Sequence, residues 1–253
     1  MAHLNEITDW LTSELRLSDF QDSSLNGLQI EGKAKVKRIA FAVDAALKTA
    51  ELAREAGADF LLVHHGVFWE KPLAVRGPHK QLVKTLLDAE ISLYAAHLPL
   101  DAHAQYGNNF SLARHLGLED LEPCISYCGN NIGCRGSNPL RLSLDDIRKR
   151  LCLLPGANPN MLLFDFGPNP PEEICIVSGS GADALCQFQS VGFDTLITGE
   201  ARQFAYHYAL ENKLNAFFAG HYATEVIGVK QLTEALAQKF LIECIFVDCP
   251  TGV

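Results

Sequence analysis

Residues 36–66 read VKRIAFAVDAALKTAELAREAGADFLLVHHG, and the order of patterns within them decides the fold. Val36 to Val43 is a buried strand, apolar without a break from Ile39 onward. A helix begins at about Leu47 and stops at Gly57, a residue suited to the left-handed backbone that commonly ends helices. Phe60-Leu61-Leu62-Val63 is the next strand, and it runs straight into His64-His65-Gly66. Strand, helix and strand at this interval make a βαβ unit and predict a largely parallel sheet.

The same alternation extends outward in both directions. Upstream, Ile7, Trp10, Leu11 and Leu15 share one face of a helix over Asn5 to Arg16, followed by a polar loop ending in Asn26-Gly27-Leu28-Gln29. Downstream come a helix from about His79 to Ala89 and a strand from Ile91 to Ala96. Between about Leu118 and Pro139 the periodicity fades and Cys, Gly and Asn accumulate, which marks a domain boundary or an insertion. Ser143-Leu144-Asp145-Asp146 then opens a helix with a capping-box pattern. Further strands are expected at Glu173 to Val177, Thr195 to Thr198, Ala216 to Ala219 and Leu241 to Val247. Helices between them start near Ala182, Ala201 and Thr224, the last running to Lys239. The expected fold class is α/β: two α/β lobes with mixed, mostly parallel sheets, residues 1–125 and 126–253.

Composition narrows the function classes. The 253 residues carry 21 Lys and Arg against 30 Asp and Glu, a net charge of −9. Non-specific nucleic-acid binding needs a surplus of cations to release counterions, so nucleic acid is an unlikely bulk partner. Hydrophobic residues make up 48% and charged ones 20% of the chain, which excludes disorder. No apolar run reaches the roughly 20 residues that span a bilayer. The opening MAHLNEITDW lacks the features of a secretory leader, and a cytoplasmic protein is expected. None of the eight cysteines pairs as C-x-x-C, so a zinc ribbon is not indicated. Cys124, Cys128 and Cys134 form only a loose group, for which metal binding is a minor reading.

Ligands of open α/β sheets bind beyond the carboxyl ends of strands, and three such ends carry unusual residues. One is His64-His65. A second is His97-Leu98-Pro99-Leu100-Asp101-Ala102-His103, and the third is Gly220-His221-Tyr222-Ala223-Thr224-Glu225. A lone histidine at a strand end is usually just solvated, but the joint occurrence of imidazoles and carboxylates suits Zn²⁺, Fe²⁺ or Mn²⁺. Adjacent side chains of an extended strand point apart, so His64 and His65 can serve two ions. His221 and Glu225 share a face if the turn has become helical, and Glu225 could then bridge two ions in a dinuclear centre.

Taken in order, NGLQIEG (Asn26 to Gly32), AVDAA (Ala42 to Ala46), VHHGVFW (Val63 to Trp69), AAHLPLDAH (Ala95 to His103), GNN (Gly107 to Asn109), TGEARQ (Thr198 to Gln203) and AGHYATE (Ala219 to Glu225) resemble the GTP cyclohydrolase 1 type 2 homologue family. Its members are also called Nif-three-like proteins, and the short bacterial form is nearest in length. The resemblance implies a two-lobed Nif-three-like fold, a ring-shaped homohexamer, and two divalent metal ions per subunit (Zn, Fe or Mn) in the cleft between the lobes. By position it assigns His64, His65, Asp101, His221 and Glu225 as metal ligands. The second lobe's GHYATE segment would thereby return to the shared site. His97 falls in the family's HxPxD stretch and is either an orienting partner or a proton carrier. Asp44 ends a strand and approaches the site or serves as a cap. Where many relatives have a histidine after TGE, this chain has Arg202-Gln203, with His207 further on.

The function implied is a metal-dependent hydrolase acting on a small molecule, GTP or another nucleotide, with His97 and Glu225 moving protons. Two alternatives stay open: a two-metal phosphoesterase, and a non-enzymatic ring-forming adaptor or metal-handling protein. Two weaker signals complete the reading. Ser178-Gly179-Ser180-Gly181 is either a phosphate-holding turn or, more in keeping with its incomplete pattern, a tight turn only. Phe68 and Trp69 either stack on a base or pack beneath the site.

Overall fold

The computed structural model describes residues 1–71 and 73–253. In chain order the elements are β1 (Ala2–His3), α1 (Leu4–Glu14), β2 (Gly27–Ile30), β3 (Lys35–Val36), β4 (Arg38–Asp44), α2 (Leu47–Glu55), β5 (Phe60–His65), α3 (Gly77–Asp88), β6 (Ser92–Ala95) and the single turn α4 (Leu98–Asp101). They continue as α5 (Asn108–Leu116), β7 (Glu119–Tyr127), β8 (Asn130–Ser137), α6 (Leu144–Leu151), β9 (Leu162–Asp165) and β10 (Glu173–Val177). The remainder are α7 (Phe188–Val191), β11 (Thr195–Thr198), α8 (Gln203–Asn212), β12 (Asn215–Phe218), α9 (His221–Phe240) and β13 (Glu243–Phe246).

Two compact units emerge. The first comprises Met1–Leu100 with Val229–Cys249, and the second Asp101–Gly228 with Pro250–Val253. In the first unit a five-stranded sheet has the order β13-β4-β5-β6-β2. Its four strands β13, β4, β5 and β6 are parallel, and β2 closes one edge antiparallel to β6. A separate antiparallel pair joins β1 to β3. Strand β5 is central, which explains why its core residues Phe60, Leu61, Leu62 and Val63 are all buried. Ala40, Ala42, Leu61, Val63, Leu86 and Leu93 belong to the cluster that fills one side of this sheet. Burying each of the leucines and the valine among them stabilises by about 1.5–3 kcal/mol before conformational entropy is counted.

In the second unit a six-stranded mixed sheet runs β7-β8-β10-β11-β12-β9. The three central strands β10, β11 and β12 are parallel, while β8, β7 and β9 run antiparallel to their neighbours. The α/β class with mixed, partly parallel sheets is therefore as the sequence indicates.

The units divide at other points than residue 125. That position lies inside β7, and β7 pairs with β8 over the stretch where periodicity fades. Positive φ at Asp120, Ile125 and Cys128, and a register shift between Glu119 and Glu122, break the even alternation that would have announced a strand. Val229–Cys249 belongs with the beginning of the chain, β13 pairing in parallel register with β4, Glu243 facing Arg38. Ser143 caps α6 as expected, its hydroxyl accepting from the Asp146 amide. Near Ala182, however, the chain forms a 3-10 turn over Ala182–Gln187 before the short α7.

Candidate metal centre

The first unit collects three histidines at the carboxyl ends of β5 and β6. One ring nitrogen from each of His64, His65 and His97 lies within 4.8 Å of the other two, a grouping able to hold a metal ion. His64 is fully buried and its Nδ1 lies 2.8 Å from the Ala96 carbonyl oxygen. A carbonyl only accepts, so Nδ1 carries the proton and Nε2 presents the lone pair. Asp44 does the same for His65, its Oδ1 2.8 Å from Nδ1. Asp44 thus acts on an imidazole at the end of the adjacent strand.

His97 is held more firmly still. Its Nδ1 sits 2.9 and 3.1 Å from the two oxygens of Asp22, and its backbone N–H donates to Asn26 Oδ1 at 2.7 Å. Asp22 also accepts from the backbone N–H groups of Ser24 and Leu98 and from the Asn26 amide. Burial raises its pKa, but the bonds and charge of His97, with Asn26 and Ser24, outweigh that and hold it at about 2. The carboxylate is an ionised clamp around which the loop folds. Gln29 completes this corner: its Oε1 accepts from Val67 N–H and its Nε2 donates to the Leu25 carbonyl. A Cβ on Gly66 would fall 2.3 Å from that amide nitrogen, so a side chain at this position would push the Gln29 amide aside.

The second unit offers carboxylates together with one imidazole. Asp101 is buried, and its Oδ1 accepts from Asn108 Nδ2 at 2.8 Å and from Ser178 Oγ at 3.0 Å. His221 begins α9, one turn before Glu225, and the helix brings His221 Nε2 to 3.1 Å from Glu225 Oε1. Glu200 anchors the other ring nitrogen, its Oε1 2.5 Å from Nδ1. Burial lowers the His221 pKa, but Glu225 and Glu200 overcome it and raise it to about 9. The hydrogen bond from His221 holds Glu200 below the ordinary carboxylate range.

Glycines and asparagines set these positions. Gly179 has a positive φ of 62°, and a Cβ there would lie 2.3 Å from Glu225 Oε1 and 3.1 Å from His221 Nε2. Asn108 links Asp101 to α9 by accepting from Gly228 N–H at 2.9 Å, an approach possible only because residue 228 has no side chain. Asn109 ties the Asp101 and Ile132 carbonyls to the Ser178 amide. The GNN motif is therefore a brace.

Of the expected ligands, the structure places His64 and His65 together in the first unit, and Asp101, His221 and Glu225 in the second. Asp22, Glu200, Asn108 and Asn109 carry the orientation of these groups, and the sequence reading assigned a role to none of them. Asp22 and Glu200 had no individual signal, since each meets its histidine from 75 and 21 residues away. The turn at 178–181 is structural: its Ser178, Gly179 and Gly181 amides donate to Asn109, Thr224 and Thr198. Arg202 pairs with Asp183 and His207 packs on Tyr206. Cys124 and Cys134 are buried within the sheet while Cys128 is exposed in a turn. Among the described residues no cysteine belongs to a grouping able to hold an ion.

A family model described as Duf34/NIF3 (NGG1p interacting factor 3) matches residues 2–251. A Deinococcus radiodurans protein named "GTP cyclohydrolase 1 type 2 homolog" is 44% identical over 250 residues, covering 98% of this chain and 94% of its own. An Archaeoglobus fulgidus protein of the same name is 39% identical, covering 99% and 100%. The crystal structure of the protein TTHA1606 from Thermus thermophilus superposes with a TM-score of 0.91 at 43% identity over 100% of both chains.

Proposed function

This chain belongs to the Duf34/NIF3 family, and on that footing we propose that it is a metal-dependent hydrolase of a purine nucleotide such as GTP. His64, His65, Asp101, His221 and Glu225 are the proposed ligands of two divalent ions, Zn²⁺, Fe²⁺ or Mn²⁺. The observation that carries this reading is the common treatment of the imidazoles. His64, His65, His97 and His221 each have Nδ1 against an oxygen acceptor, from Ala96, Asp44, Asp22 and Glu200. For His64, His65 and His97, fixing one ring nitrogen sets the other as the lone-pair donor, which is how histidine ligands are oriented. His221, whose Nε2 meets Glu225, gives up a proton when an ion takes that place. The donor set of imidazoles and carboxylates fits those ions.

When bound, divalent ions supply Lewis acidity and a more acidic water. The residues of this chain do the rest. His97, backed by an ionised Asp22, is placed to take a proton and return it. Glu225 is buried, so its charge meets little competing water. The relatives' name, GTP cyclohydrolase 1 type 2 homolog, supports GTP as the substrate, and the reaction proposed is opening of its purine imidazole ring by water with release of formate. A ring-shaped homohexamer in the cytoplasm is proposed with it; no helix among the described residues is long and apolar enough to cross a membrane.

The test is direct. Protein loaded with Mn²⁺, Fe²⁺ or Zn²⁺ is incubated with GTP and with a generic phosphodiester, and formate, phosphate and alcohol are assayed. Formate is expected. Phosphate or alcohol alone would turn the reading to a phosphoesterase, and metal binding without any product to a metal-handling protein. Glu225→Gln should reduce metal content while preserving the circular dichroism spectrum. Two full equivalents of metal in that variant would remove Glu225 from the ligand set.

A further inference from the structure

We propose that Trp69 forms a subsite for a planar heteroaromatic ring, so that the protein reads the base of its substrate through the indole. This rests on the hydrolase reading above and names what that site recognises. The two aromatics after the histidine pair behave differently. Phe68 is half-buried, packs against the first unit's core and meets the His79 ring edge-on. Trp69 turns outward and is 39% exposed.

An exposed indole could be incidental, but this one is held in place. Its Nε1–H donates to the Gly66 carbonyl oxygen at 3.0 Å. Its backbone and that of the preceding residue are strapped to another loop by the Ser24–Trp69 bridge and by the Leu25 N–H to Phe68 carbonyl bond. With its one polar atom already engaged, the ring can meet a ligand only through its face or its edge. Holding it in advance lowers the entropy cost of a stacking contact.

Its neighbours define the ligand. The Trp69 ring centroid lies 5.2 Å from that of His97, at 75°, and 6.1 Å from that of His65. Both imidazoles are partly accessible. A planar ring placed beside these imidazoles is within reach of the indole. A ribose phosphate or a triphosphate alone has no ring to offer. Stacking tolerates different bases because each has a π-face, so the subsite selects purines over non-aromatic substrates.

The chain has two tryptophans. The other, Trp10, packs on Phe240 and under the Lys239 ammonium. Trp10→Phe therefore leaves Trp69 as the sole indole fluorophore in the full-length protein. Guanosine and GTP should quench its emission saturably, and ribose 5-phosphate and inorganic triphosphate should not. In equilibrium dialysis Trp69→Ala should bind guanosine and GTP about tenfold more weakly, the size of one base–aromatic contact. Trp69→Phe should retain most of the affinity, with metal content and circular dichroism unchanged in both variants. Failure of guanosine and GTP to quench, or equal binding by Trp69→Ala, overturns the subsite. Quenching and loss in Trp69→Ala without formate release would sink the hydrolase reading and leave the subsite standing. Formate release with an unaltered KM in Trp69→Ala would do the reverse.

Discussion

The two units position their imidazoles and carboxylates by different means. In the first, the donor side chains are imidazoles at the ends of neighbouring parallel strands, and each is turned by a hydrogen-bond acceptor at Nδ1. In the second, the donors are largely carboxylates, and their positions depend on places where a side chain is missing. Gly179, Gly199 and Gly228 let backbone approach Glu225, His221 and Asn108 closely. Regular strand geometry makes one arrangement tolerant of small errors. Close backbone contact makes the other unforgiving.

The largest expected effect therefore belongs to a glycine of the second unit. A Cβ on Gly199 would sit 2.7 Å from the Gly179 carbonyl oxygen and 2.7 and 2.9 Å from His221 backbone atoms, none of which can swing aside. Gly199→Ala should cost about 3 kcal/mol, lowering Tm by roughly 10 °C. A Tm within 2 °C of the parent, on the order of experimental scatter, would erase the contrast between the units.

Asp22 is the corresponding weak point of the first unit. Asp22→Ala strips the acceptor from His97, Asn26, Ser24 and Leu98 at once and should cost about 2–3 kcal/mol. The same carboxylate predicts an acid limb. Its folded pKa of about 2 lies below the ordinary 3.8, so its contribution is full above the ordinary value. It is lost as pH falls from there through the folded value, amounting to about 2 kcal/mol. Urea melts between pH 5 and pH 2 should show that loss in the parent and a shallower one in Asp22→Asn.

Glu200→Gln tests orientation rather than stability. It should lower metal affinity roughly ten- to hundredfold while leaving Tm almost unchanged, because the side chain is partly exposed. Unchanged affinity would mean that His221 needs no anchor. The smallest effect is a null one: millimolar phosphate should not raise Tm, since the Ser178, Gly179 and Gly181 amides of the turn are already engaged. Stabilisation by phosphate would reopen that turn as an anion site.

The alternation from Val36 to Gly66 was enough to determine strands β4 and β5, the helix between them and the parallel pairing. Local hydrophobic period and end signals specify such elements. The ends of three strands along the chain drew attention to His64, His65, His97, Asp101, His221 and Glu225, because strand ends are where an α/β sheet exposes chemistry. The β7–β8 hairpin was hidden by bulges and positive φ values, which scramble a period of two. That β13 belongs beside β4 depended on pairing across some two hundred residues, about which local pattern is silent. The carboxylates of Asp22 and Glu200, the asparagine brace and the need for bare glycines were decided by tertiary structure alone. The physical reason is that a hydrogen bond or a steric limit between distant residues leaves no periodic trace in the chain that makes it.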